Sequence, residues 1–234
     1  MYKLSSMNDL LLSKEQEGWD EYWLNQANHR RRLYDSIASF YRTHIIKRSL
    51  NGFVLKYFPD SSELLHAGCG AGQVDVDLVK KMKITALDIS LPALERYRAL
   101  HGELARTARG SILELPFQKE SFDGVYNLGV MEHFFEKDIH VILHEFHRVL
   151  KPQGKIVLFW PPEYGLSVAA FKVIHFFCNT LLKKNIELCP TEFTHLHSKK
   201  HALRLLENSG FKLLEYSFGS GDAFTHAIVI GQKA

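Results

Sequence analysis

The chain has 234 residues, 46% hydrophobic and 24% charged, with a formal net charge of +3. That length suits one core burying roughly 70–75% of the unfolded surface, and the composition is ordinary for a soluble globular protein. The small charge gives no electrostatic case for nucleic acid. Three cysteines without a CxxC pair argue against a disulfide scaffold, and the 13 scattered histidines form no HExxH or Cys/His set, so no metal site is expected.

In chain order, residues 1–60 are helix-biased and aromatic, with Trp19, Tyr22, Trp23, Tyr34, Phe40 and Tyr41 near helical spacing. Arg30-Arg31-Arg32 reads as a solvated face, with an anion clamp as the alternative. The N-terminus lacks a charged-then-apolar signal pattern, so a cytoplasmic location is expected. Next, Leu64-Leu65-His66-Ala67 runs into Gly68, Gly70 and Gly72 at alternate positions. An amphipathic helix is predicted after them, with Val74, Leu78, Val79 and Met82 on one side. Strand, glycine turn and helix together hold a nucleotide-like ligand at a helix N-terminus. A second strand, Ile84 to Asp88, ends in a carboxylate 20 residues after Gly68, placed to accept from both ribose hydroxyls. Ser90 is predicted to cap a helix opening Leu91-Pro92.

The glycines run GxGxG, not the GxGxxG of dinucleotide sites. Ser121 onward reads as a strand reaching a polar mouth at Asn127-Leu128-Gly129 and Glu132-His133. A helix over Glu136–Leu150, a turn over 151–154 and a buried strand over 155–160 follow. Later, Ser198 caps a helix through Leu206, Gly210 ends it, and Phe211–Phe218 with Thr225–Gly231 form a strand pair.

Residues 62–161 resemble the class I S-adenosylmethionine-dependent methyltransferases, particularly the small-molecule and quinone-biosynthesis-like group. The resemblance rests on His66–Gly72, Leu87–Ser90, Leu115–Phe117, Phe122–Tyr126, Met131–Phe134 and Arg148–Gly154, in family order. It implies an α/β, Rossmann-like, doubly wound, seven-stranded mixed sheet with the last strand antiparallel. A helical extension or lid over 1–60 and a methyltransferase domain over 61–234, with a cap insertion at 162–190, complete the expected organisation.

It also implies S-adenosyl-L-methionine as cofactor, with S-adenosyl-L-homocysteine as product. The cofactor-binding residues would be His66, Ala67, Gly68, Cys69, Gly70, Gly72, Asp88, Ile89, Ser111, Ile112, Leu113, Asn127, Leu128 and Gly129. His66 stands where the family usually has an acid that orients the methionine end, and Ser111 where an acid often receives the adenine amino group. Cys69 is read as small filler. His133 is the candidate catalytic base, with Glu132, His197, Glu163 and Tyr164 as further candidates.

The expected activity is methyl transfer to a small or lipid-like acceptor by in-line displacement. A non-catalytic cofactor-fold regulator is the alternative, and a nicotinamide enzyme a third class. The apolar stretch 165–184, interrupted by Lys172 and His175, is no bilayer span. A cap over the acceptor, a dimer contact and a peripheral membrane helix all fit it, so the oligomeric state stays open.

Overall fold

A computed structural model describes residues 14–24, 41–165 and 192–234. Arg30 to Arg32, Tyr34, Phe40 and the insertion from residue 166 to 190 lie outside the described residues. Residues 14–24 form helix α1. A π-helical turn, Arg42–Ile46, runs into α2, Lys47–Tyr57, and the sheet begins with β1, Glu63–Ala67. After it come β2, Lys83–Asp88, helix α3, Leu91–His101, then β3, Arg106–Arg109, and β4, Phe122–Leu128. Helix α4, Glu136–Val149, leads into β5, Leu150–Trp160, and α5, Lys199–Glu207, into β6, Phe211–Ser217, and β7, Ala227–Lys233.

The seven strands form one sheet in the order β3-β2-β1-β4-β5-β7-β6. The pairings from β3 through β5 are parallel, whereas β7 runs antiparallel to both β5 and β6. This is the mixed sheet that the motif order implies. Side-chain alternation sorts the core onto two faces. Leu65, Val125, Leu158 and Trp160 pack with Leu143 and Phe146 of α4 and Leu205 of α5. Leu64, Tyr126, Val157 and Phe159 pack with Leu50 and Val54 of α2.

Local chemistry explains the helices. Ser90 Oγ accepts from the Ala93 N–H and Pro92 follows, so α3 starts where expected. Ser198 does the same for α5 through the His201 N–H. On α4, Ile139, Ile142, Leu143, Phe146 and Val149 are buried, and Glu136 and Asp138 in the first turn complement the helix dipole.

Two expectations need correcting. No α-helix follows the glycine turn; the segment holds only a three-residue 3-10 turn, Leu78–Lys80. Val74, Leu78, Val79 and Met82 are nevertheless buried. The reason is Asp75, whose carboxylate is drawn fully into the interior by three side-chain donors. The irregular path turns both Val74 and Asp75 inward and brings Asp75 to donors from β1, α3 and β4. The turn over 151–154 is likewise a bulge within β5, between the Phe122–Leu150 and Gly124–Lys155 pairings, with Gln153 at a φ of 64°.

Candidate functional site

The sequence-predicted residues collect at the carboxyl ends of four adjacent strands, β3-β2-β1-β4. Strand order reverses between β1 and β4, the place where open α/β sheets bind ligands. The glycine turn leaves β1 with positive φ at Gly68, Gly70 and Gly72. A Cβ on Gly72 would run into the Tyr97 ring, and one on Gly70 would lie 2.7 Å from the Trp23 indole. With no α-helix behind it, the turn offers its backbone without a helix dipole.

Asp88, at the end of β2, ties two parts of the site together. One carboxylate oxygen accepts from the Gly70 N–H at 2.8 Å and the other from the Ser90 N–H at 2.9 Å. Burial raises its pKa, and these backbone donors offset only part of that rise. An ionised carboxylate has about four lone-pair sites, so these two bonds do not exhaust its capacity to accept. Ile89 is half-buried beside it, and its carbonyl accepts from Arg109. After β3, the Ser111 hydroxyl accepts from the Leu113 N–H at 3.2 Å. Ile112 is buried, as is Ala67, which lies in the core. Burial holds the Cys69 thiol well above the usual thiol range, which suits filler rather than a nucleophile.

His66 turns toward Asp75 instead of standing alone. Its Nδ1 lies 2.7 Å from the Asp75 carboxylate, and its ring stacks on Tyr126 with centroids 4.4 Å apart. Tyr97 and Tyr126 also donate to Asp75, at 3.0 and 2.8 Å. Burial and the Asp75 charge raise both phenols, so they stay protonated donors. Sequence reasoning missed this network. The available signal was a pair: a histidine where an acid is usual, and an acid inside the apolar run 74–82.

At the end of β4, Asn127 is fully buried and neither its Oδ1 nor its Nδ2 has a hydrogen-bond partner. Leu128 is half-buried, and the Gly129 N–H is bonded to the Phe159 carbonyl. Glu132 is 4% exposed and its Oε2 is unpartnered. Burial pushes its pKa up to about 8; its own backbone N–H lowers it, and the Glu192 charge adds to the rise. The Glu132 carbonyl accepts from the Phe193 and Thr194 N–H groups, and the Thr194 carbonyl accepts from the Trp160 indole. His133 is half-buried with its ring edge-on to Trp19 at 5.1 Å. His197 and Glu163 pair with each other at 2.8 Å on the exposed surface, and Tyr164 is exposed against Phe218.

Helix α1 crosses this mouth. Asp20 accepts from the Leu91 N–H at the start of α3, and the Trp23 carbonyl accepts from Arg96 at 2.6 Å. Trp23 covers Gly70 while Trp19 meets His133, so one helix touches the ends of both β1 and β4.

A glycine turn, a strand-end carboxylate and unpartnered polar atoms together suit a nucleoside carrying an amino acid. Comparisons with known proteins agree. Residues 65–158 match the family model described as "Methyltransferase domain". A protein of Encephalitozoon cuniculi named as a methyltransferase is 31% identical over 170 residues, covering 70% of this chain and 77% of that protein. A SAM-dependent methyltransferase of Methanosarcina mazei superposes with a TM-score of 0.61 at 20% identity, covering 77% of this chain and 96% of the other. Magnesium protoporphyrin IX methyltransferase of Synechocystis, crystallised with bound SAH, gives 0.59 at 16% identity, covering 81% and 82%. The glycine turn, the β2 carboxylate and the strand order thus share one explanation: the chain belongs to the class I S-adenosylmethionine-dependent methyltransferases.

Proposed function

We propose that the methyl acceptor is a small or lipid-like molecule bound at the carboxyl ends of β4 and β5, beside the cofactor. The observation that carries this reading is Glu132, a buried side chain there whose Oε2 has no hydrogen-bond partner. Buried polar groups ordinarily find partners, and exceptions concentrate where a ligand completes them. The surroundings are aromatic: Phe135 against Phe193, Trp19 against His133, and Tyr164 against Phe218. The magnesium protoporphyrin IX methyltransferase, a neighbour in fold, is named for a small-molecule acceptor, in keeping with this reading.

In this reading the cofactor lies along β3-β2-β1-β4. Ser111, Ile112 and Leu113 face adenine, Asp88 takes the ribose, the glycine turn lies against the nucleoside, and Asn127 to Gly129 meet the methionyl end. The sulfonium supplies a methyl group that is already electrophilic. The protein therefore has to hold the acceptor at roughly 3–3.5 Å, aligned for displacement, and keep water out. Helix α1, with Trp23 over Gly70 and Trp19 on His133, serves as the lid. Where the acceptor carries a proton, His133 is the group placed to receive it, since Glu132, its carboxyl pushed up to about 8, holds its own proton at neutral pH.

The test is a cell extract incubated with the protein and methyl-labelled S-adenosylmethionine, followed by mass detection. Label in an organic-soluble small molecule supports the reading. Label only in protein or nucleic acid overturns it. Titration with S-adenosylhomocysteine and with NAD in parallel checks the cofactor.

A further inference from the structure

We infer that Asp75 is a positioning residue, which fixes His66 as a hydrogen-bond acceptor for the methionyl ammonium of the cofactor. The inference rests on the cofactor placement proposed above and adds a residue that placement does not include.

Asp75 has no exposed surface, and its carboxylate receives His66 Nδ1, Tyr97 OH and Tyr126 OH. An ionised carboxylate only accepts, so all three partners must donate, and the imidazole proton resides on Nδ1. A neutral ring with its proton there carries a lone pair on Nε2. The stack on Tyr126 and the 2.7 Å bond together leave the ring no freedom to turn over. The outcome is one acceptor atom, of fixed direction, on the penultimate residue of β1, immediately before the glycine turn.

Topology says which part of the cofactor that atom meets. Adenine at the end of β3 and ribose on Asp88 at the end of β2 leave the amino-acid arm to extend toward β1 and β4. Its ammonium is the donor-rich group there, and a neutral imidazole nitrogen accepts one of its N–H bonds. A carboxylate at residue 66 would also accept, but it would need a buried site of its own; here the negative charge stays on Asp75, supported by two phenols. The network also braces the turn from behind. Tyr97 packs on Gly72, and the His101 ring bonds the Gly72 carbonyl at 2.9 Å. A purely structural role for Asp75 would run through that brace, so the test must separate the two.

Two ligands do so. S-adenosylhomocysteine carries the amino-acid arm, and methylthioadenosine has the same nucleoside without it. His66→Phe keeps a ring to stack on Tyr126 and removes both nitrogens. Its affinity for S-adenosylhomocysteine should fall roughly tenfold to hundredfold, the worth of one hydrogen bond to a charged group. Its affinity for methylthioadenosine should match the parent. Asp75→Asn can donate to the ring or accept from it. Long-range proton–nitrogen spectra should show a protonated Nδ1 and bare Nε2 in the parent, and a shift toward protonated Nε2 in the variant, with S-adenosylhomocysteine alone weakened.

Equal weakening of both ligands in His66→Phe would overturn the inference in favour of a brace for the turn. Unchanged binding of S-adenosylhomocysteine in that variant would overturn it too, as would a parent spectrum with the proton on Nε2. A parent that binds neither ligand would overturn the cofactor placement itself, and this inference with it. If Asp75→Asn does not fold, His66→Phe and the parent spectrum carry the test.

Discussion

Replacing Asn127 by leucine should make the ligand-free protein more stable and bind its cofactor worse. Asn127 has no exposed surface, and both polar atoms of its amide lack partners. It pairs in register with Leu158 on β5, on the sheet face that carries Val125 and Trp160 of the main core. A buried polar atom without a partner costs about 1–3 kcal/mol, and two such atoms are present. Leucine has a similar volume and removes that penalty, while imperfect shape gives back about 1 kcal/mol. The net gain is therefore about 1–5 kcal/mol. At roughly 2–4 °C per kcal/mol for a chain of this size, that is a rise in Tm of several degrees.

The ligand-bound protein should respond in the opposite sense. If the amide is completed by the amino-acid arm of the cofactor, leucine leaves that arm's polar groups unpaired, and S-adenosylhomocysteine should bind at least tenfold more weakly. Each tenfold loss removes about 1.4 kcal/mol of ligand-induced stabilisation at saturation. Thermal melts with and without S-adenosylhomocysteine measure both quantities in one experiment. A structural asparagine gives the reverse pattern, a lower Tm without ligand and an unchanged shift with it, and that result would refute the reasoning.

Asp88→Ala removes the acceptor that holds the Gly70 N–H and is placed for the ribose; at roughly 1.5–3 kcal/mol per charge-assisted bond, titration calorimetry should show cofactor affinity reduced at least tenfold. Glu132, with its carboxyl pushed up to about 8 by burial, binds its proton more tightly folded than unfolded. Its contribution to stability is complete below about pH 4.5 and is lost as pH rises through about 8, a total on the order of several kcal/mol; Glu132→Gln should flatten that part of the stability–pH curve measured by denaturant titration. Trp23 lies over Gly70 with the Arg96 guanidinium 5.7 Å from its ring, so S-adenosylhomocysteine should change tryptophan emission in the parent and change it much less in Trp23→Phe. Ser111→Asp should hold or tighten binding of the adenine amino group; a clear loss of affinity in calorimetry would put Ser111 away from adenine.

The fold was legible because its signals are local and repeat in family order. Ser90 and Ser198 cap where the serines fall, and β5 shows as a continuous apolar run because helices cover both its faces. The carboxyl-end location of the site was legible for the same reason: Gly68, Asp88 and Asn127 each end a recognisable strand or follow one. The segment after the glycine turn was not. Its apolar spacing is helical and its burial is as predicted, yet the conformation is irregular, because periodicity reports which side chains go inward and carries no information about a carboxylate with three distant donors. Tyr97 and Tyr126 lie 22 and 51 residues from Asp75, so no window along the chain contains the network.

That difference separates two kinds of departure at this site. His66 read alone is a loss, an acid replaced by a group of variable charge. Read with Asp75, it is a relocation: the carboxylate has moved one layer inward, where two tyrosines and the imidazole meet it. A buried carboxylate with three donors is costly to assemble and strongly destabilising to break, because removing any donor leaves charge uncompensated in the interior. Such a network fixes one arrangement of β1, the glycine turn and α3, since Tyr97 comes from α3 and His66 from β1. These contacts hold the turn in shape, which is why the missing helix dipole does not argue against a cofactor there: the turn's backbone is held by Asp75 from behind and by Asp88 from the side.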